Sequence, residues 1–188
     1  MAKVGRESRR QTLVAQAGQL GDHLSALGTL ALSARMKRLS DMMVREAHVL
    51  YRELELGIEP NWYLVFLLLE EHKTLSVTEI ATAIGWSHPS VVSLIRDMQN
   101  AGLVAAEEDA NDRRRTLLKL SARGRAQLKV ARPIWDASRR GIEALLAESG
   151  VDLMRGLDAL EAALRARGYR QRTLDAMALS APRKGRKR

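Results

Sequence analysis

The run Ser76-Val77-Thr78-Glu79-Ile80-Ala81-Thr82-Ala83-Ile84-Gly85-Trp86-Ser87-His88-Pro89-Ser90-Val91-Val92-Ser93-Leu94-Ile95-Arg96-Asp97-Met98 holds two short helices and the turn between them. Ser76 and Glu79 have the spacing of a capping box, in which each side chain satisfies a backbone N–H of the other residue. Ile80, Ala81 and Ile84 follow at helical spacing, and Gly85 supplies a C-terminal stop. Ser87 caps the second helix, with Pro89 in its first turn, where a missing N–H costs nothing. Val91, Leu94, Ile95 and Met98 make that helix's buried stripe. Small polar residues lie near its N-terminus. This is the pattern of a helix-turn-helix.

Gly102 ends the second helix. Leu103-Val104-Ala105-Ala106 and Thr116-Leu117-Leu118-Lys119-Leu120 read as two short strands. Between them stand Glu107, Glu108, Asp109-Ala110-Asn111-Asp112 and Arg113-Arg114-Arg115. Asn and Asp suit a hairpin tip because they tolerate left-handed turns and bond their own backbone. A basic hairpin directly after a helix-turn-helix reads as a wing, with arginines able to reach the phosphate backbone or the minor groove. Three consecutive arginines cannot share one side of a strand. One is expected to pair with Asp112 or Asp109 and hold the hairpin's shape, and Arg113 or Arg114 to face nucleic acid.

With these motifs and the following Leu120-Ser121-Ala122-Arg123-Gly124, the chain resembles the MarR-type winged-helix regulators, whose wing closes on Leu-Thr-x-x-Gly. The resemblance spans roughly residues 24–164. The segment from Arg35 to Trp62 is similar to MarR regulators that carry a fused acetyltransferase, a domain this chain is expected to lack. The resemblance implies a mainly α fold with a small β-hairpin wing and long dimerisation helices. It also implies a homodimeric transcriptional regulator, a repressor by expectation, bound to double-stranded DNA at a roughly palindromic site. A small-molecule effector is implied as well, held between the long first helix and the Trp62 helix near His48, Tyr51, Trp62 and Phe66.

The candidate DNA-binding residues are Ser76, Ser87, His88, Pro89, Ser90, Val92, Ser93, Arg96, Arg113, Arg114 and Arg115. Serine hydroxyls allow close approach to a groove but specify bases poorly, since they donate or accept. The family often has a polar residue at the position of Val92 and an arginine at that of Ser93. The departure shifts the expected readout toward Arg96 and the wing.

Composition agrees with a DNA partner. Of 188 residues, 31 are Lys or Arg and 22 Asp or Glu, a formal charge of +9, which makes nucleic acid the first partner to consider. Five of those charges, Arg183, Lys184, Arg186, Lys187 and Arg188, sit in the last six residues. Apolar residues make up 46% of the chain, enough for an ordinary core, and only 4% are aromatic, so that core is aliphatic. Cysteine is absent, which excludes disulfides and thiolate metal sites. No motif for phosphate, acetyl-coenzyme or nucleophilic chemistry is present, so neither an enzyme nor a cofactor is expected. The four histidines have no metal-ligand spacing. The longest apolar run, Trp62 to Leu69, is far shorter than the roughly 18 residues that cross a bilayer, and a cytoplasmic location is expected.

The expected organisation runs in five parts. Residues 1–24 form a helical extension opened by the capping pattern Ser8-Arg9-Arg10-Gln11. Residues 25–59 carry one long first helix for dimerisation. Residues 60–120 form the winged helix-turn-helix. Residues 121–168 hold C-terminal dimerisation helices with a kink before Pro133, and residues 169–188 a short helix and a disordered basic tail. Trp86 is expected to pack. Two other function classes fit the same features: a sequence-indifferent DNA-packaging protein, and an interaction scaffold that binds no DNA.

Overall fold

The computed structural model describes residues 22–109, 112 and 115–180. The capping pattern at Ser8, the basic run after Pro182, and Arg113 and Arg114 lie outside the described residues. The chain is mainly helical with one antiparallel hairpin. It divides into two compact units, Met1–Val130 and Ala131–Arg188.

In the first unit, α1 spans His23–Ala26, a 3-10 turn covers Gly28–Ala31, and α2 covers Leu32–Glu53. The single long helix expected within residues 25–59 is therefore broken near its start. Gly28 has φ +55°, outside the right-handed helical region. The Asp22 carboxylate accepts from both Arg38 Nη1 at 2.8 Å and Nη2 at 3.1 Å. Sixteen residues of straight helix would hold those groups about 24 Å apart, so the chain doubles back at the glycine. Among the described residues, no helix is long and apolar enough to cross a membrane.

Pro60–Trp62 form a 3-10 turn that leads into α3, Tyr63–His72. Val65, Phe66 and Leu69 on α3 are buried, as are Ile80 and Ala81 of α4 (Val77–Ile84) and Val91, Leu94, Ile95 and Met98 of α5 (His88–Asn100). The hairpin follows as β1, Val104–Glu108, and β2, Thr116–Leu120, paired with Val104 opposite Leu120 and Ala106 opposite Leu118. Val104, Leu118 and Leu120 turn to the core. β2 also exchanges backbone hydrogen bonds with Leu75, through Leu75 N–H to Leu118 O at 3.1 Å and Leu118 N–H to Leu75 O at 2.8 Å. The hairpin is thereby sewn to the residue that precedes the helix-turn-helix.

α6, Ala122–Ser149, starts beside Leu103 and continues as helix through Pro133. The Ser121 hydroxyl accepts from Gly124 N–H at 2.9 Å and donates to Gly102 O at 2.7 Å. Gly124 sits so close to Leu103 that a Cβ there would lie 2.1 Å from the Leu103 carbonyl oxygen. The Leu-Ser-Ala-Arg-Gly run is thus a seat for a helix on a strand, and its glycine is required by contact. In the second unit, α7 covers Leu153–Ala166, capped by the Asp152 side chain, and α8 covers Tyr169–Ser180.

Candidate nucleic-acid interface

Both helices of the motif begin as their sequence dictates. The Ser76 hydroxyl accepts from Glu79 N–H at 3.3 Å, and Glu79 Oε2 accepts from Ser76 N–H at 2.8 Å. Gly85 closes α4 with φ +69°, and Trp86 N–H returns to Ala81 O. Ser87 then caps α5 by accepting from Ser90 N–H at 3.3 Å. Its hydroxyl also lies 2.7 Å from that of Ser90.

The four-residue stripe of α5 is buried, so its other face is fixed toward solvent. Ser87, His88, Pro89, Ser90, Val92 and Arg96 are exposed and Ser93 is half-buried. Val92 is 42% exposed, which settles its place on the outer face rather than in the core. Arg96 reaches back along the helix to donate to Ser93 Oγ at 3.3 Å. The result is a short, open surface of hydroxyls, one imidazole, one methyl-bearing side chain and one guanidinium. Ser76 is set apart from it: its hydroxyl is engaged with Glu79 on both donor and acceptor sides.

The hairpin lies beside this helix pair. Asp109 N–H donates to Arg115 O at 3.0 Å, and Arg115 N–H donates to Asp112 O at 2.8 Å, so the two ends of the tip are tied together. The Arg115 guanidinium ion-pairs with Glu79 through Nη2, and its Nη1 is 3.7 Å from Asp109 Oδ2. The Arg115 guanidinium, with the backbone and hydroxyl of Ser76, pulls the Glu79 carboxyl down to about 2. The same pairing raises the pKa of Arg115. Lower on the hairpin, Lys119 pairs with Glu107 across the strands.

The residues expected to hold an effector differ in exposure. Phe66 is fully buried, Tyr51 and Trp62 are nearly so, and the exposed His48 faces Glu59, with Nδ1 3.4 Å from Oε2. An open groove of about 530 Å³ lies elsewhere, between α3 and the end of α4, lined by Tyr63, Leu64, Leu67, Leu68, Glu71, Ala83, Ile84 and Trp86. Trp86, expected to pack, is 39% exposed on its wall. Sequence reading missed both the groove and the role of Glu79 as wing partner. Aromatic residues at Tyr63 and Trp86 were the available signal for the groove; for Glu79 the capping box accounted for the residue and hid its second contact. Among the described residues, no group of His, Asp and Glu could hold a metal ion.

Comparison with known proteins agrees with this architecture. Residues 56–115 match the model of the MarR family. No curated protein sequence matches the chain. Among solved structures, the chain is similar to the MepR–DNA complex of S. aureus, with 21% identity, a TM-score of 0.61, and coverage of 71% of this chain and 97% of that one. It is also similar to the M. tuberculosis regulator MosR in complex with DNA, with 24% identity, a TM-score of 0.58, and coverage of 72% and 97%. The transcriptional repressor CouR, bound to a 23-mer DNA duplex, shares 26% identity over 74% of this chain and 96% of its own, with a TM-score of 0.55. The helix-turn-helix, the wing tied to it and the match over residues 56–115 make this region similar to the MarR family, on a winged-helix fold.

Proposed function

We propose that this protein is a transcriptional regulator that binds a roughly palindromic DNA duplex as a homodimer, with α5 in the major groove and the hairpin against the flanking backbone or minor groove. The carrying observation is the exposed N-terminal face of α5, polar and rich in hydroxyls, standing beside an arginine-bearing hairpin. Ser87, His88, Ser90, Ser93 and Arg96 are the readers in this proposal, with Val92 able to meet a thymine methyl. Arg113 and Arg114 supply wing contacts. CouR, MepR and MosR, whose DNA complexes share this fold, act as precedents for the mode of docking.

Dimerisation rests on apolar side chains left in solvent. On α2, Leu32, Met36, Leu39, Met43 and Leu50 fall at alternating three- and four-residue steps or their sum, and all are exposed. Met154, Leu160 and Leu164 of α7 are exposed as well. Such stripes mark surfaces that a second chain covers. The proposal extends to release of DNA by a small ligand in the groove beside Trp86, next to the cap of α5. Repression is the expected sign of regulation.

In vitro selection from a random duplex pool at physiological salt tests the central claim. Enrichment of a two-fold-symmetric sequence is the expected result. A pool that binds without enrichment would make the protein a sequence-indifferent binder, and a pool that does not bind would remove DNA as the ligand.

A further inference from the structure

We infer that Arg115 is a positioning residue for DNA: clasped between Glu79 and Asp109, it locks the base of the wing tip to the first helix of the helix-turn-helix and is not itself a phosphate ligand. The inference rests on the DNA-binding reading above and assigns one of its three wing arginines a different task.

Three observations carry it. Arg115 spends its guanidinium on this chain's own carboxylates, at the surface, with Nη2 on Glu79 and Nη1 toward Asp109. Two carboxylates beside one guanidinium leave a local charge that does not attract phosphate. Glu79 is itself held from the other side, because its Oε2 accepts from the N–H and hydroxyl of Ser76, both at 2.8 Å. Arg115, Glu79 and Ser76 therefore form one chain of charge-assisted hydrogen bonds from the wing to the cap of α4. Finally, the backbone of Arg115 closes the tip by accepting from Asp109 N–H. The Leu75–Leu118 pairing grips the hairpin at its middle. Arg115, three residues nearer the tip, adds a tie beyond that pairing. A wing held at two points presents its tip at a fixed angle to α5, which is what simultaneous groove and backbone contact requires.

Four variants test this: Arg115→Gln, Glu79→Gln, the double variant, and the exchanged pair Glu79→Arg with Arg115→Glu. Glutamine at residue 79 still completes a capping box, so that change removes the pairing charge and keeps the helix start. Affinity for the selected duplex is measured from low to high salt, with melting alongside. Each single change is expected to weaken binding by about three- to tenfold with the parent's salt slope, as loss of an ordered contact rather than of a phosphate contact predicts. The double variant should be no weaker than the singles, and the exchanged pair should recover part of the loss. The opposite result is distinct. A phosphate-binding Arg115 would flatten the salt slope by about 2 per dimer when removed, and Glu79→Gln, which frees it, would tighten binding. Either finding overturns the inference. Hydrogen exchange at the Asp109 amide supplies a readout that needs no DNA. Faster exchange there in both single variants, with α6 amides unchanged, supports the clasp, and parental exchange overturns it. A parent chain that fails to bind any duplex would refute the DNA reading alone, because the amide measurement still decides the clasp.

Discussion

Replacing Gly124 by alanine is expected to destabilise the protein, against the usual sign for such a change. Glycine to alanine within a helix ordinarily stabilises by about 0.5–1 kcal/mol. Here the new Cβ would stand 2.1 Å from the Leu103 carbonyl oxygen and 3.1 Å from its carbon, more than an ångström inside ordinary contact with the oxygen. The obstacle is backbone, and Leu103 is itself buried and unable to turn aside. Overpacking of this kind costs about 1–3 kcal/mol. Moving Leu103 also loosens its bond from Ser121 N–H, now 3.0 Å long, at about 1 kcal/mol. The net loss is about 2 kcal/mol, a fall in melting temperature of roughly 4–8 °C for a chain of this size. Gly141, in the same helix, has nothing within 4 Å of its Cβ position. Gly141→Ala should therefore raise stability by about 0.5–1 kcal/mol. Melting of both variants at one protein concentration checks the pair. A Gly124→Ala protein that melts at or above the parent would refute the close-approach argument.

Sedimentation at micromolar concentration should give twice the 20.9 kDa chain mass; a single-chain mass would refute the dimer. The depressed Glu79 carboxyl contributes stability that is fully present above its ordinary value of 4.5 and lost as pH falls toward about 2. Glu79→Gln lacks that titration, so its stability should fall less steeply than the parent's across that window; equal slopes in denaturant titrations would contradict the pairing. Arg96→Ala should weaken binding to the selected duplex with melting unchanged, and parental affinity would remove Arg96 from the interface.

Local signals made most of the first unit legible. The Ser76 and Ser87 caps, the Gly85 stop and the Val91–Met98 stripe depend on neighbours within one or two turns, and sequence spacing records such relations directly. β2 begins and ends where its alternating residues indicate, while β1 runs to Glu108, two residues beyond the expected end, because Glu107 and Glu108 pair with Leu117 and Thr116. The break at Gly28 was hidden because apolar spacing continues through it, and a lone glycine is also tolerated inside helices. Roles set by distant partners were the least legible. Arg113, Arg114 and Arg115 are chemically identical in the sequence, and the partner of Arg115 is a carboxylate 36 residues earlier, Glu79 at the start of the helix-turn-helix. The aromatic residues near His48 suggested a ligand box, and Phe66 and Trp62 are buried. Burial of an aromatic side chain and contact with a ligand leave the same mark in a sequence.

The hairpin has unequal sides. β2 is bonded to β1 along its length and to Leu75 at Leu118, whereas β1 has β2 as its sole strand partner among the described residues. A bare strand border is a template on which other chains can polymerise. β1 is only five residues long and finishes in Glu107 and Glu108, the first tied to Lys119. Any strand annealing to that border would have to strip water from two carboxylates. The same glutamates that contribute nothing attractive toward a polyanion thus guard the protein against fibre-like self-assembly, so a wing short enough to follow a DNA groove is also one that resists aggregation when the groove is empty.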